Sequence, residues 1–364
     1  MRRIAALLLL IVSETVSPTG SPAAPPPSAG STDRLPWAKF EPSIAREVVP
    51  AFAAELEGKY LSPTLGKRYA DALRSKLASG GYDNFPDVGY FAEAVTADLQ
   101  AINGDGHLVL IAPVPPSVSK QGGQSTPVPH GIVKSGLIAP GLAYIDFADF
   151  PGDKETLTKL RRFIDSHAGI KAMIIDLRTH RGGWVLESDM FFHELFRRPT
   201  DLVAIEMRKS VAQQMGSLEG PTIRKLGETA DVVRFVNFVK PSPHPRLANT
   251  KVYLLVSHAT RSAGEHFAFA LKRTHRATLI GERTQGAGHA AIDYPLPAGF
   301  FGRVPIARAY DPATGNGWEG IGVKPDIAVS ADRALAVALK LARVRKSARA
   351  ALEHLRQDGS APLN

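Results

Sequence analysis

The chain has 364 residues, 44% hydrophobic and 22% charged, which suits one large soluble domain or two ordinary ones with a sizeable core. It contains no cysteine, which excludes disulfides, thiolate metal sites, a thiol nucleophile and a lipid-modified cysteine. Its net charge of +9 is spread along the chain, and no zinc-finger, RNA-binding or P-loop pattern accompanies it, so nucleic acid is not an expected partner.

The first residues read as an export signal. Met1-Arg2-Arg3 is positive, Ile4 to Val12 is a short apolar run, and small residues follow through Ala24. The run is short for a bilayer span, so stable membrane insertion after cleavage is not expected; an uncleaved anchor or a disordered tail is the alternative. Residues 1–24 are therefore expected to be a signal peptide and 25–37 a Pro/Ser-rich linker, with a periplasmic or secreted destination.

A helical N-terminal domain is expected over 38–106. Ile44, Val48, Val49, Phe52 and Leu56 recur at helical spacing, and 70–77 and 90–99 repeat the habit. An α/β domain is expected over 107–335. Strands are predicted at 107–114, 141–147, 172–177, 252–256 and 277–280, and helices at 156–167, 184–196 and 263–273. Residues 115–131 read as a loop, and 205–250 as a hairpin with loops. The remainder, 336–364, is expected to be a basic helix and tail; its run KLARVRKSAR reads either as an anionic-partner surface or as a solvated helix face.

Four segments carry possible chemistry. In VYLLVSHATRSAGE (252–265) an apolar strand meets a helix that opens at Ser262, so the hydroxyl sits at the positive end of a helix; a serine there is also an ordinary N-cap. In Asp176-Leu177-Arg178-Thr179-His180-Arg181-Gly182-Gly183 a buried strand ends in paired glycines that free the backbone. Trp318-Glu319-Gly320-Ile321-Gly322-Val323-Lys324-Pro325-Asp326 sets a carboxylate in a glycine-rich turn, and Asp105-Gly106-His107 puts a histidine where a strand starts. His266 and His289 are candidate pocket residues or structural histidines, as is Gly183 a candidate for the pocket wall. No H-E-x-x-H-type spacing occurs, so neither a metal nor another cofactor is expected.

The order of these pieces resembles the tail-specific (C-terminal-processing) serine peptidases, a family that includes the core of tricorn protease and the repeats of interphotoreceptor retinoid-binding protein. GLAYIDFADF (141–150), AMIIDLRTHRGG (172–183), SHATRSAGEHFAFALKRTHRATLIGERTQGAG (257–288) and EGIGVKPDIAV (319–329) carry the resemblance, which spans about residues 50–330. It implies a crotonase/ClpP-like spiral of ββα units with an N-terminal helical cap. It implies Ser262 as nucleophile, His107 as general base and Glu319 as the carboxylate that orients it, with the backbone N–H groups of Gly182 and Ala263 as oxyanion donors.

Two departures stand out. Where the processing peptidases have a lysine in T-x-G-K-G, this chain has Ala287, so a Ser–Lys dyad is absent at its usual place. Only about 33 residues separate His107 from Gly141, too few for a PDZ module. The resemblance thus implies a serine peptidase acting on peptides or protein C-termini. A carrier of apolar ligands and a small-molecule esterase on the same fold are the alternatives, and the sequence leaves the oligomeric state open.

Overall fold

The computed structural model describes residues 37–113, 129–216 and 218–357. The expected signal peptide and nearly all of the expected linker lie outside the described residues, as does most of the loop at 115–131. The chain forms two compact units.

The first is helical. Helix α1 (Pro42–Lys59) buries Ala45, Val48, Val49, Phe52, Ala53 and Leu56, one stripe at the period read from the sequence. Helix α2 (Pro63–Ala78) begins with proline at its first position, and the Ser62 hydroxyl accepts the Leu65 N–H. Helix α3 (Val88–Ile102) is capped by Asp87, whose carboxylate accepts from Gly89 and Tyr90 N–H at 2.8 and 3.0 Å. Strand β1 (Val109–Ile111) follows and pairs antiparallel with Phe301–Arg303. This unit does not stop at residue 106. Residues 107–113 and 292–304 belong to it, because Leu108, Leu110, Leu296, Phe300 and Val304 share one core with the helices. A segment returning from nearly 200 residues downstream leaves no local periodicity to announce it.

The second unit is α/β. Strands β2 (Ile132–Ala139) and β3 (Leu142–Phe147) lead into α4 (Lys154–Ser166), β4 (Ala172–Asp176) and α5 (Leu186–Leu195). Then come β5 (Thr200–Arg208), α6 (Lys209–Met215), β6 (Ile223–Glu228) and β7 (Val232–Val239). Next are β8 (Lys251–Val256), α7 (Ala263–Arg273) and β9 (Ala277–Gly281), then β10 (His289–Pro295), which leaves the unit, and β11 (Phe301–Tyr310), which rejoins it at Pro305. Strand β12 (Ile327–Ala328), α8 (Ala331–Leu341) and α9 (Ala348–Gln357) close the described chain. One sheet has the order β12-β9-β8-β4-β3-β2, parallel except for β2. Antiparallel pairing joins the end of β11 to β5, β5 to β7 and β7 to β6. The hairpin expected in 205–250 is β6–β7.

The parallel sheet is buried on both faces, which is why its strands read as unbroken apolar runs. Ile145, Phe147, Ile175, Leu254 and Val256 face α4, α5 and α7. Tyr144, Ile174, Tyr253 and Leu255 face the other way, against Leu335, Ala338, Leu339, Ala351 and Leu355 of α8 and α9. The basic C-terminal segment begins before 336, at Ala331, and its described residues run to Gln357. It is two helices whose apolar stripes cover the sheet.

Candidate active site

Strands β4 and β8 are parallel neighbours, with Asp176 opposite Leu255, so the loops after them leave the same sheet edge side by side. The sequence ties them together. The Thr260 hydroxyl donates to Leu177 O at 2.7 Å, Ser257 Oγ to Arg178 O at 2.5 Å, Arg261 N–H to His180 O at 3.2 Å and Arg261 Nε–H to Arg181 O at 2.8 Å. The Asp-Leu-Arg motif is structural. Arg178 clamps Asp176 with Nε and NH2 at 2.9 and 2.6 Å and reaches Ala331 O at 2.7 Å, fixing the root of the glycine loop.

Ser262 sits where β8's loop turns into α7. Its φ of 53° and ψ of −117° are costly for a residue with a Cβ, by about 1–3 kcal/mol. It is only 6% exposed, and its Oγ has no hydrogen-bond partner among the described residues. What holds the strained turn is Glu265, buried three residues on. Its carboxylate accepts the Ser262 N–H at 3.0 Å, the Thr284 hydroxyl at 2.6 Å, Gly286 N–H at 2.6 Å and Ala287 N–H at 2.7 Å. Burial raises the Glu265 pKa above the ordinary glutamate value, against four donors that each pull it down. The Thr284 hydroxyl in turn accepts Val323 N–H at 2.7 Å, so the serine turn, the 284–288 segment and the turn before Lys324 are one hydrogen-bonded body. Glu265 was not among the residues singled out by sequence. Its signal was present: an acid three places after a serine that opens a helix is the capping-box spacing.

Gly182 lies against the serine. A Cβ there would come 3.0 Å from Ser262 Cβ and 3.5 Å from Oγ, and its φ of 106° favours glycine. Its N–H donates to His180 Nδ1 at 3.1 Å. His180 is wholly buried between Phe150 and α7, and burial pushes its pKa down to about 3, so its neutral ring accepts that bond. The Gly182 N–H is thus engaged within its own loop, an arrangement that the motif alone did not indicate. Ala263 holds the first helical position of α7, where an N–H has no intrahelical partner. Gly183, expected in the pocket wall, packs elsewhere: a Cβ there would lie 2.2 Å from Phe150 O, and Trp184 N–H donates to that oxygen at 2.6 Å.

His266, His289, Ala287, Gly288 and Trp318 line a cavity with Ser262. Glu319 shapes one wall, its Oε2 accepting Gly288 N–H at 2.5 Å and His289 N–H at 2.8 Å. Ala287, at the position of the family's lysine, brings no ammonium group to this wall. His107 belongs to the helical unit. There the buried Asp105 accepts the His107 N–H at 3.0 Å through Oδ1 and the Tyr60 hydroxyl at 2.8 Å through Oδ2, and His107 Nδ1 is 4.0 Å from Asp105 Oδ1. The turn that carries the histidine is therefore anchored by Tyr60, the residue that caps the C-terminus of α1.

Residues 141–329, just over half of the chain, match the family model described as Peptidase family S41. The chain belongs to peptidase family S41. A carboxy-terminal-processing protease of Bartonella bacilliformis is 28% identical over 163 residues, 44% of this chain. That match spans only 31% of the Bartonella protein's length. Two solved structures share the fold. A candidate peptidase of Parabacteroides merdae superposes with a TM-score of 0.54 at 18% identity, covering 87% of this chain and 97% of that one. A photosystem II D1 C-terminal processing protease superposes with a TM-score of 0.51 at 15% identity, covering 80% and 94%. The α/β fold with a ClpP/crotonase-like core, expected from the motif order, is that of the S41 family. Among the described residues no helix is long and apolar enough to cross a membrane.

Proposed function

We propose that this chain is a serine peptidase of the tail-specific type that hydrolyses peptide bonds through Ser262. The observation that carries the reading is the serine itself: a strained backbone, a buried Oγ with no partner among the described residues, and a place at the N-terminus of α7 beside Gly182. Strain of this kind persists only when surrounding structure over-determines it, and Glu265 supplies that structure.

In the proposed mechanism the Ser262 hydroxyl attacks the scissile carbonyl carbon while His107 takes its proton. The imidazolium then returns that proton to the leaving amine, and water repeats the cycle on the acyl-enzyme. Glu319 is assigned to orient His107. The Ala263 N–H is the first oxyanion donor, and the Gly182 N–H becomes the second once it turns from His180. The substrates are peptides or protein C-terminal segments. The absence of PDZ-length sequence between His107 and Gly141 favours short or exposed peptide ends. Export through the N-terminal signal would place this activity in the periplasm or outside the cell.

Labelling with a fluorophosphonate tests the reading. Wild type is expected to label at Ser262, and Ser262→Ala and His107→Ala are expected not to. Folded wild-type protein that does not label would refute an activated serine and favour the apolar-ligand carrier. Labelling unaffected by His107→Ala would remove His107 from the mechanism and leave Ser262 in place.

A further inference from the structure

Two buried polar atoms beside Ser262 have no place in the hydrolytic step. Trp318 is 2% exposed and His266 4% exposed, and both line the cavity that Ser262 lines. Neither Trp318 Nε1 nor His266 Nδ1 has a hydrogen-bond partner among the described residues. A Cβ on Gly288 would lie 3.2 Å from Trp318 Nε1, so the indole N–H looks onto the glycine wall of the cavity. Orphaned buried polar atoms are rare and costly, and two around one cavity call for a ligand group that satisfies both.

Size and chemistry narrow that group. The space open to water centres is about 30 Å³, room for about two or three waters and hence for a side chain of similar heavy-atom count. Apart from Arg308 and His289, whose Nδ1 lies 3.9 Å from Glu319 Oε2, the rest of the wall is short or apolar, with Ile205, Ala287, Ala290 and Ala307. The indole can only donate. The His266 ring is held neutral by burial, which pushes its pKa down to about 4, so it can donate or accept but does not offer a counter-charge. Arg308 also borders the cavity, yet its Nε–H is paired with Glu206 Oε1 at 2.9 Å and its guanidinium lies over the Tyr310 ring at 4.7 Å. Among the described residues no carboxylate lines the cavity, so an ammonium would enter without a charged partner, and an aspartate or glutamate side chain is larger than the room. A hydroxyl accepts from the indole and either donates to or accepts from the imidazole.

We infer that this cavity is the subsite for a serine or threonine side chain on the substrate residue whose carbonyl Ser262 attacks. The inference rests on the hydrolytic reading above and specifies its substrate class. Valine has threonine's shape but leaves both polar atoms unpaired, and a site built to bond a hydroxyl discriminates strongly against its absence. Alanine fits but bonds nothing, and leucine overfills the space.

The test uses internally quenched peptides that differ only at that residue, with Thr, Ser, Val, Ala or Leu, measured as kcat/KM on the full chain. Binding of product-type peptides ending in Thr or Val is measured in parallel on Ser262→Ala by calorimetry. The expected result is at least tenfold preference for Thr over Val in both assays, and a Thr:Val ratio near one in Trp318→Phe, which keeps the ring and removes the N–H. Equal Thr and Val in wild-type cleavage and in binding would overturn the subsite and leave the peptidase reading standing. Preference in binding without cleavage of any peptide would uphold the subsite and sink the hydrolytic reading. Neither preference nor cleavage would sink both.

Discussion

Glu265→Gln is the sharpest test of how the serine turn is held. The carboxylate serves four donors, two on each oxygen. A glutamine must turn its NH2 to one pair. Toward Ser262 and Ala287 it would face two backbone N–H groups that can only donate. Toward Thr284 and Gly286 it would face one, because the threonine hydroxyl can accept instead, so this second orientation is preferred. One buried N–H at Gly286 is then orphaned, at about 1–3 kcal/mol. The two bonds left on the amide oxygen lose their charge assistance, at about 1 kcal/mol each. The sum is about 3–5 kcal/mol, a large part of the roughly 5–15 kcal/mol that stabilises an ordinary domain. Urea unfolding followed by tryptophan fluorescence would read it as a fall in midpoint at unchanged slope. The fluorophosphonate labelling rate of the folded fraction is expected to fall at least tenfold, since Ser262 loses the acceptor that fixes its backbone. A loss below about 1 kcal/mol with unchanged labelling would refute the reasoning. It would mean that Glu265 is already a protonated acid, for which glutamine is a near isostere.

Three further outcomes follow from the same geometry. Gly182→Ala forces a Cβ to 3.0 Å from Ser262 Cβ at a φ of 106°, so it is expected to cost about 1–3 kcal/mol in urea unfolding and to slow labelling sharply. Ser262→Gly relieves the positive φ, and is expected to be more stable than Ser262→Ala by about 1 kcal/mol even after glycine's larger unfolded-state entropy; equal or lower stability would mean the turn is unstrained. His266 has a folded pKa pushed down to about 4 by burial, below the ordinary histidine value of about 6.5. Between those values the unfolded chain takes up a proton that the folded one refuses, so stability falls as pH falls through that window. Wild type is therefore expected to lose about 2–3 kcal/mol more than His266→Leu between pH 7 and 4.5, measured by unfolding at each pH.

Local order was legible wherever the side-chain pattern answers to neighbours in sequence. The stripe of α1, the apolar runs of β3, β4 and β8, and the span of α7 appear in the sequence because helix period and two-sided burial are local rules. The family's motifs carried the core fold, since each marks a strand end or a turn in fixed order. What was hidden depends on partners far away in sequence. Strand β11 has mixed composition, and its pairing with β1 and β5 bridges a long separation.

For the candidate site the division is similar. The sequence by itself set the residue types: a serine at the mouth of a helix, a glutamate three places on, paired glycines after a strand, and an alanine where a lysine would give a dyad. Only the tertiary structure decided how those groups are used. It strained Ser262, gave Glu265 four donors, turned the Gly182 N–H toward His180, set Gly183 against Phe150 and brought Trp318 and His266 to one cavity. The physical reason is that hydrogen-bond satisfaction and burial are properties of assembled surfaces. A donor's partner or a cavity's wall comes from whichever strand the fold places beside it, and no spacing along the chain encodes that directly.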